Sequence, residues 1–226
     1  MEEAETEHPG VVVLEAFCEE IRSIFGFVVE SDEAFLQLYH QFRHEAQTDP
    51  HRHNTWVREF KNPQDVQLPY VTKPHQYAAT TQQLADNYSM YGRNRLLRNR
   101  AAVLYLYELW NCTYRKQLAA SVGKQDKEIV SDVFGDLRHY RNAIAHKGVL
   151  KAEARVLRFV NVGEPVNLTP WEVDTIFDVA IGELNRLAQA YLGLRTNFSL
   201  DQFSPAWIVY RGPAYGDVPP DEEVEE

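Results

Sequence analysis

The stretch FGDLRHYRNAIAHKG, residues 134–148, decides how this chain folds. With two residues upstream it places Ile129, Val133, Leu137, Tyr140 and Ile144 at intervals of four, four, three and four, the repeat of one helical face. The spacing predicts a helix from Asp126 to Lys147, with Gly148 where a C-terminal glycine cap belongs. The other face is polar. Asn142 and His146 stand one turn apart, His139 one turn before Asn142, and Arg138 three residues before Arg141. Arg141 lies about 100° from Asn142 on an ideal helix, and its long stem can swing the guanidinium to the same side.

These residue types suit phosphodiester chemistry without a metal. Arginine carries a permanent charge on a planar fork that matches phosphate oxygens two at a time. Histidine is the side chain suited to proton transfer near neutral pH, and His146 sits at the negative end of the helix dipole. Arg141, Asn142 and His146 are therefore the candidate catalytic residues, with Arg138 and His139 in support. The same pattern also describes a solvated polar face with a histidine near its end, and periodicity alone does not separate the two.

Working outward, Thr169-Pro170-Trp171-Glu172 combines a capping threonine, a first-position proline and a capping-box glutamate. It predicts a last long helix to about Leu194, with Val173, Ile176, Phe177, Ala180, Leu184, Leu187 and Tyr191 inward. Between the two helices, Arg155 to Val160, Gly163 and Pro165 to Leu168 read as a short hairpin. Upstream, residues 76–122 are helical with a break near Gly92, and Ala101 to Tyr107 is apolar almost all round, as in a buried central helix. Residues 11–25 and 32–47 read as two helices separated at Gly26. Pro50, Pro63, Pro69 and Pro74 forbid a long helix over 48–75, where Trp56, Phe60 and Tyr70 suggest a loop or lid that packs down. The expected class is an all-α helical bundle with one small β-hairpin between the motif helix and the last long helix. Its divisions are an acidic tail over 1–10, a helical extension and loop over 11–75, a core over 76–196, a C-terminal wrap over 197–216 and an acidic tail over 217–226.

Charge is segregated. The net charge of −10 arises from Glu2, Glu3, Glu5 and Glu7 at one end and Asp217, Asp221, Glu222, Glu223, Glu225 and Glu226 at the other. Of 33 acids these ten lie in tails whose composition reads as disordered, leaving 23 against 23 Lys and Arg. Such a neutral body can bind RNA locally but lacks a large electrostatic footprint. No apolar run approaches the roughly 20 residues of a membrane helix, and acids precede Val11 to Leu14, unlike a secretory leader. Cys18 and Cys112 have no metal or redox spacing, which suits a cytoplasmic protein with reduced thiols.

Other clusters are less specific. Glu108 interrupts the apolar helix, either to hold Arg141 or His146 or to pair with another base. Arg93, Arg95, Arg98 and Arg100 read as an RNA-guiding strip or as a solvated helix start with some phosphate affinity. His40 and His44, with His51 and His53 following, lack the third and fourth ligands of defined geometry that zinc requires. No glycine-rich phosphate loop and no glycine-framed serine nucleophile occurs. No cofactor and no metal is implied.

The phrase FGDLRHYRNAIAHKG resembles the signature of the HEPN superfamily, all-helical proteins many of which are ribonucleases: an Arg, a polar residue, a few variable positions, then His at the end of a core helix. NRAAVLYLYELWNCTYRKQLA, residues 99–119, is similar to the preceding family helix with its mid-helix acid and tryptophan, and VLRFVNVGEPVNLT, residues 156–169, to a frequent continuation. The resemblance spans about 95–194. It implies a metal-independent endoribonuclease, acting as a homodimer whose two motifs face one cleft on single-stranded or looped RNA. His146 would take the 2′-hydroxyl proton, Arg141 would stabilise the phosphorane, and Asn142 would orient one of them. Family members commonly serve as toxins or anti-phage effectors, with an antitoxin or other regulatory partner. Some carry a tyrosine two residues after the histidine as a modification site; Gly148 stands there, which argues against that form of control. The rival implication is a non-catalytic dimer that binds a nucleotide or partner in the same cleft.

Overall fold

In a computed structural model of the chain, the structure describes residues 8–58, 75–146 and 148–200. Pro9 and Gly10 of the expected first tail are helical, and Phe198 of the expected wrap packs against the core; residues 1–7, the wrap beyond residue 200, the second tail, and the side chains of Trp56, Phe60 and Tyr70 lie outside the described residues. Among the described residues, six α-helices and one two-stranded ribbon form an all-α bundle with a small hairpin. No helix among them is long and apolar enough to cross a membrane.

Helix α1, Pro9–Thr48, is one helix of 40 residues rather than the two expected. A mid-helix glycine costs only about 1 kcal/mol relative to alanine. Here the buried stripe Leu14, Phe17, Cys18, Ile21, Ile24 and Val28 runs straight past Gly26 and outweighs it. The Ser31 hydroxyl donates to the Phe27 carbonyl one turn back (2.6 Å), as a serine inside a helix does.

Strands β1 (His53–Arg58) and β2 (His75–Thr80) pair antiparallel, His53 opposite Thr80 and Arg58 opposite His75. The hairpin therefore lies in the segment read as a loop and at the start of the segment read as helix. The place where it was expected holds only a single bridge, Val149 to Pro165. The reason is competition for backbone donors. The buried Asp136 carboxylate accepts the N–H groups of Arg155 (2.9 Å), Val156 (2.7 Å) and Leu157 (3.0 Å), so these donors are taken before a second strand can use them. The Tyr140 hydroxyl donates to the Leu157 carbonyl and accepts from Phe159 N–H.

Helix α2, Thr81–Tyr88, starts with a capping box of Thr80 and Gln83. Helix α3, Arg93–Leu109, follows Gly92 and runs into a π turn, Trp110–Tyr114, then α4, Arg115–Ser121, closed by Gly123 at φ +66°. The motif helix α5, Asp132–Ala145, is shorter than expected because Ser131 caps it, its Oγ accepting from Phe134 N–H, and 126–128 form only a 3-10 turn. Helix α6, Pro170–Leu187, carries the expected Thr169–Glu172 capping box and ends through a π turn at Gly193, φ +71°.

The core is built where α1, α3, α5 and α6 converge. Trp110 stacks on Phe134 with centroids 4.3 Å apart, and Phe17 reaches Trp110 at 5.9 Å and Phe134 at 5.7 Å. A smaller cluster of Phe42, Ala79, Leu84 and Ala85 joins the far half of α1 to the hairpin and α2.

The arginine row at the start of α3 is neither a strip nor a solvated face. Asp32 on α1 pairs with buried Arg95 (3.1 Å) and Arg98 (2.6 Å), and Arg98 also donates to the Val28 carbonyl. Arg100 ties to the Val166 carbonyl (3.0 Å) and Asn167 (2.5 Å). Only Arg93 of the four is exposed.

Removing a buried partner strands the charges left behind. Asp32→Ala should cost about 3–5 kcal/mol in urea unfolding. Asp132→Ala, whose pair with Arg155 is 52% and 76% exposed, should cost no more than about 1 kcal/mol. Equal midpoints for the two variants would mean the buried tie contributes nothing.

Burial pushes the Tyr140 phenol up to about 12 from 10, with its backbone hydrogen bond to Phe159 opposing. The folded state thus keeps a proton that the unfolded chain releases near pH 10. Stability from this group is whole below pH 10 and falls as pH rises to about 12, by about 2–3 kcal/mol. Tyr140→Phe should flatten that part of the unfolding free-energy curve; an unchanged slope would assign it to other groups.

Candidate functional site

The site forms where the last turn of α3 meets the second half of α5. Buried Val133, Leu137, Tyr140 and Ala143 face the core, which turns Arg138 and Asn142 outward and leaves Arg141 half-exposed at the α3 edge. The Trp110–Phe134 stack fixes Glu108, two residues before Trp110, beside α5. The π turn that follows inserts an extra residue into the helix, an arrangement frequent beside functional sites.

Glu108 Oε1 accepts from Arg141 Nε at 2.9 Å, with side chains 39% and 36% exposed. Glu108 Oε2 accepts a weak hydrogen bond from the Cys112 thiol at 3.4 Å. Arg141 Nη1 donates to Asn142 Oδ1 at 3.3 Å. The guanidinium is thereby held at Nε and Nη1, while Nη2 makes no hydrogen bond among the described residues. Beneath this network lies Tyr107, whose phenol is raised by burial, with the positive charge of Arg138 and then the negative charge of Glu108 acting on it.

His146 is placed differently. Helix α5 ends at Ala145, and His146 takes the capping position at φ −96°, ψ 12°, its N–H donating to the Asn142 carbonyl at 3.1 Å. It is exposed, and its ring shares no hydrogen bond or ion pair with Glu108, Arg141 or Asn142. The structure brings Glu108, Arg141 and Asn142 together and leaves the imidazole exposed, tied to them only through the His146 backbone N–H on Asn142. Arg138 is exposed and His139 half-buried, and neither makes a hydrogen bond or ion pair among the described residues.

Two open clefts lie elsewhere among the described residues. One, of about 380 Å³, runs along α1 past Cys18 and Arg22 to Phe198; the other, of about 370 Å³, lies at the α2–α3 corner. Cys18 is buried and Cys112 exposed. Among the described residues no three His, Cys, Asp or Glu side chains gather into a group that can hold a metal ion.

Tyr107 and Cys112 are site neighbours that sequence reasoning missed. Cys112 stands four residues after Glu108, a same-face spacing visible in the sequence. Tyr107 carried no such signal within an apolar run. No family model, curated protein or solved structure matches the chain.

An ion pair this exposed contributes little to stability. Glu108→Gln should change the unfolding free energy by less than about 1 kcal/mol, yet should speed solvent exchange of the Arg141 Nε–H, read by NMR. Unchanged exchange would mean that Glu108 does not hold the guanidinium.

Proposed function

We propose that this chain is a metal-independent endoribonuclease of HEPN type that cuts single-stranded RNA in the cytoplasm. The observation that carries the reading is the Glu108–Arg141 contact: a carboxylate holds a guanidinium at one edge and leaves its other end half-exposed. Asn142 is bonded to that same arginine, and His146 follows one turn on from Asn142.

The chemistry runs as follows. The 2′-hydroxyl gives its proton to His146 while its oxygen bonds to the adjacent phosphorus. Arg141 neutralises the charge that gathers on the phosphorane oxygens, and Asn142 orients the arginine or the phosphate. The P–O5′ bond then breaks, leaving a 2′,3′-cyclic phosphate and a 5′-hydroxyl that has taken up a proton. Glu108 acts through Arg141 and touches no substrate.

In one protomer His146 is exposed, with no wall around it among the described residues. A homodimer packed about the α3–α5 edge would supply it and face a second imidazole across the groove as the acid. Tyr105, 53% exposed and one turn before Glu108, lies on the strip such a contact would cover. The biological role proposed is that of a toxin or anti-phage effector held in check by an antitoxin or another regulatory partner.

Purified protein should nick single-stranded RNA in EDTA and leave cyclic phosphate ends. His146→Ala and Arg141→Ala should each slow cutting by about 10²- to 10⁴-fold without altering circular dichroism or dimer mass. Equal cutting by His146→Ala would overturn the reading. RNA binding with no cutting by the wild type would replace it with the non-catalytic binding protein.

A further inference from the structure

A second site lies at the other end of α3. The cleft of about 370 Å³ at the α2–α3 corner is lined by Tyr77, Asn87, Tyr88, Arg93, Asn94 and Leu97. Its volume falls within the roughly 300–1,000 Å³ of small-ligand pockets. The lining is an unusual mixture for a structural crevice: two phenols, two carboxamides and a guanidinium around one leucine.

Each group has a separable job. Tyr77 projects from the ribbon with 52% of its surface exposed, a ring face of the kind on which nucleobases stack. Tyr88 is the fixed wall: its ring stacks on Phe42 at 6.0 Å and tilts against Phe35 at 5.4 Å. Burial first and the nearby Tyr77 second raise its phenol, against a hydrogen bond with Asn94 that lowers it. Asn87 makes no hydrogen bond among the described residues, and its amide presents a donor and an acceptor side by side, the pairing that reads a base edge. Arg93 completes the set. Arg95 and Arg98 are spent on Asp32 and Arg100 on the 166–167 segment, whereas Arg93 is exposed and makes no ion pair among the described residues. It is the arginine of the row left to meet a phosphate.

We infer that this cleft binds one nucleotide of a single-stranded RNA, its base stacked on Tyr77 and its phosphate at Arg93. The exposed ring of Tyr77, the carboxamide of Asn87 and the exposed guanidinium of Arg93 match in turn a base face, a base edge and a phosphate. Fifteen residues of α3 separate Arg93 from Glu108, about 22 Å along the helix at 1.5 Å per residue. A nucleotide held here is several units from the scissile bond, so the cleft grips and registers the strand rather than taking part in its chemistry. The choice of an RNA strand rests on the ribonuclease reading; the nucleotide chemistry of the cleft does not.

The test uses the full chain and a fluorescent, fully 2′-O-methylated RNA dodecamer, which cannot be cut by 2′-hydroxyl attack, followed by anisotropy. Tyr77→Ala should raise Kd roughly 5- to 100-fold, whereas Tyr77→Phe should bind as the wild type does. Arg93→Ala should lower the slope of log K against log salt by about one. Both replaced side chains are exposed, so circular dichroism should not change. Unaltered binding in Tyr77→Ala and Arg93→Ala would overturn the proposal. Displacement of the dodecamer by micromolar AMP or UMP would overturn the strand as the source and leave a pocket for a free nucleotide. Cleavage is scored separately on unmodified RNA. Strand binding that depends on Tyr77 without cutting would sink the ribonuclease reading and keep the cleft; cutting with no dependence on Tyr77 would do the reverse.

Discussion

Everything in the proposed site hangs on one aromatic stack. Trp110 lies against Phe134 at 4.3 Å and 13°, with Phe17 of α1 closing the group. Stacking at that distance leaves no room for α3 to slide along α5. Because Glu108 is two residues from Trp110 and Arg141 is two turns beyond Phe134, the stack sets the separation at which carboxylate and guanidinium meet. The ion pair itself is too exposed to hold two helices together. The core aligns the pair; the pair does not build the core.

Helix α5 does two jobs on two faces. Its inner face spends Asp136 and Tyr140 on the backbone of 155–159, clamping an irregular segment that buries Leu150, Leu157, Val166 and Leu168. Three backbone donors on one carboxylate satisfy a charge that would otherwise be costly to bury. With those polar groups absorbed inside, the outer face can carry Arg138, Arg141 and Asn142 half in water.

The two ends of α3 divide comparable labour. At its start, buried guanidiniums lock α1 to α3 through Asp32, and the arginine not needed for that lock faces a cleft. At its end, a π turn follows the acid that holds Arg141. In the function proposed above, α3 would set the distance between the corner that holds the strand and the edge that meets the scissile phosphate.

What the sequence determined by itself is local and periodic. The stripe of α5, the capping box of α6 and the absence of a long apolar span all follow from spacing and side-chain chemistry within a few residues, so the helical class and the candidacy of Arg141 and Glu108 were legible. Tertiary structure decided what depends on partners distant in the chain. Burial carried α1 through Gly26, Asp136 took the donors of the expected hairpin, and Asp32 drew Arg95 and Arg98 inward across more than sixty residues of sequence. The same kind of decision sets the site: Ala145 ends the helix and leaves His146 on the open surface, while Arg141 is claimed by a carboxylate 33 residues away. Periodicity states which face a residue occupies, and only packing states what stands opposite it.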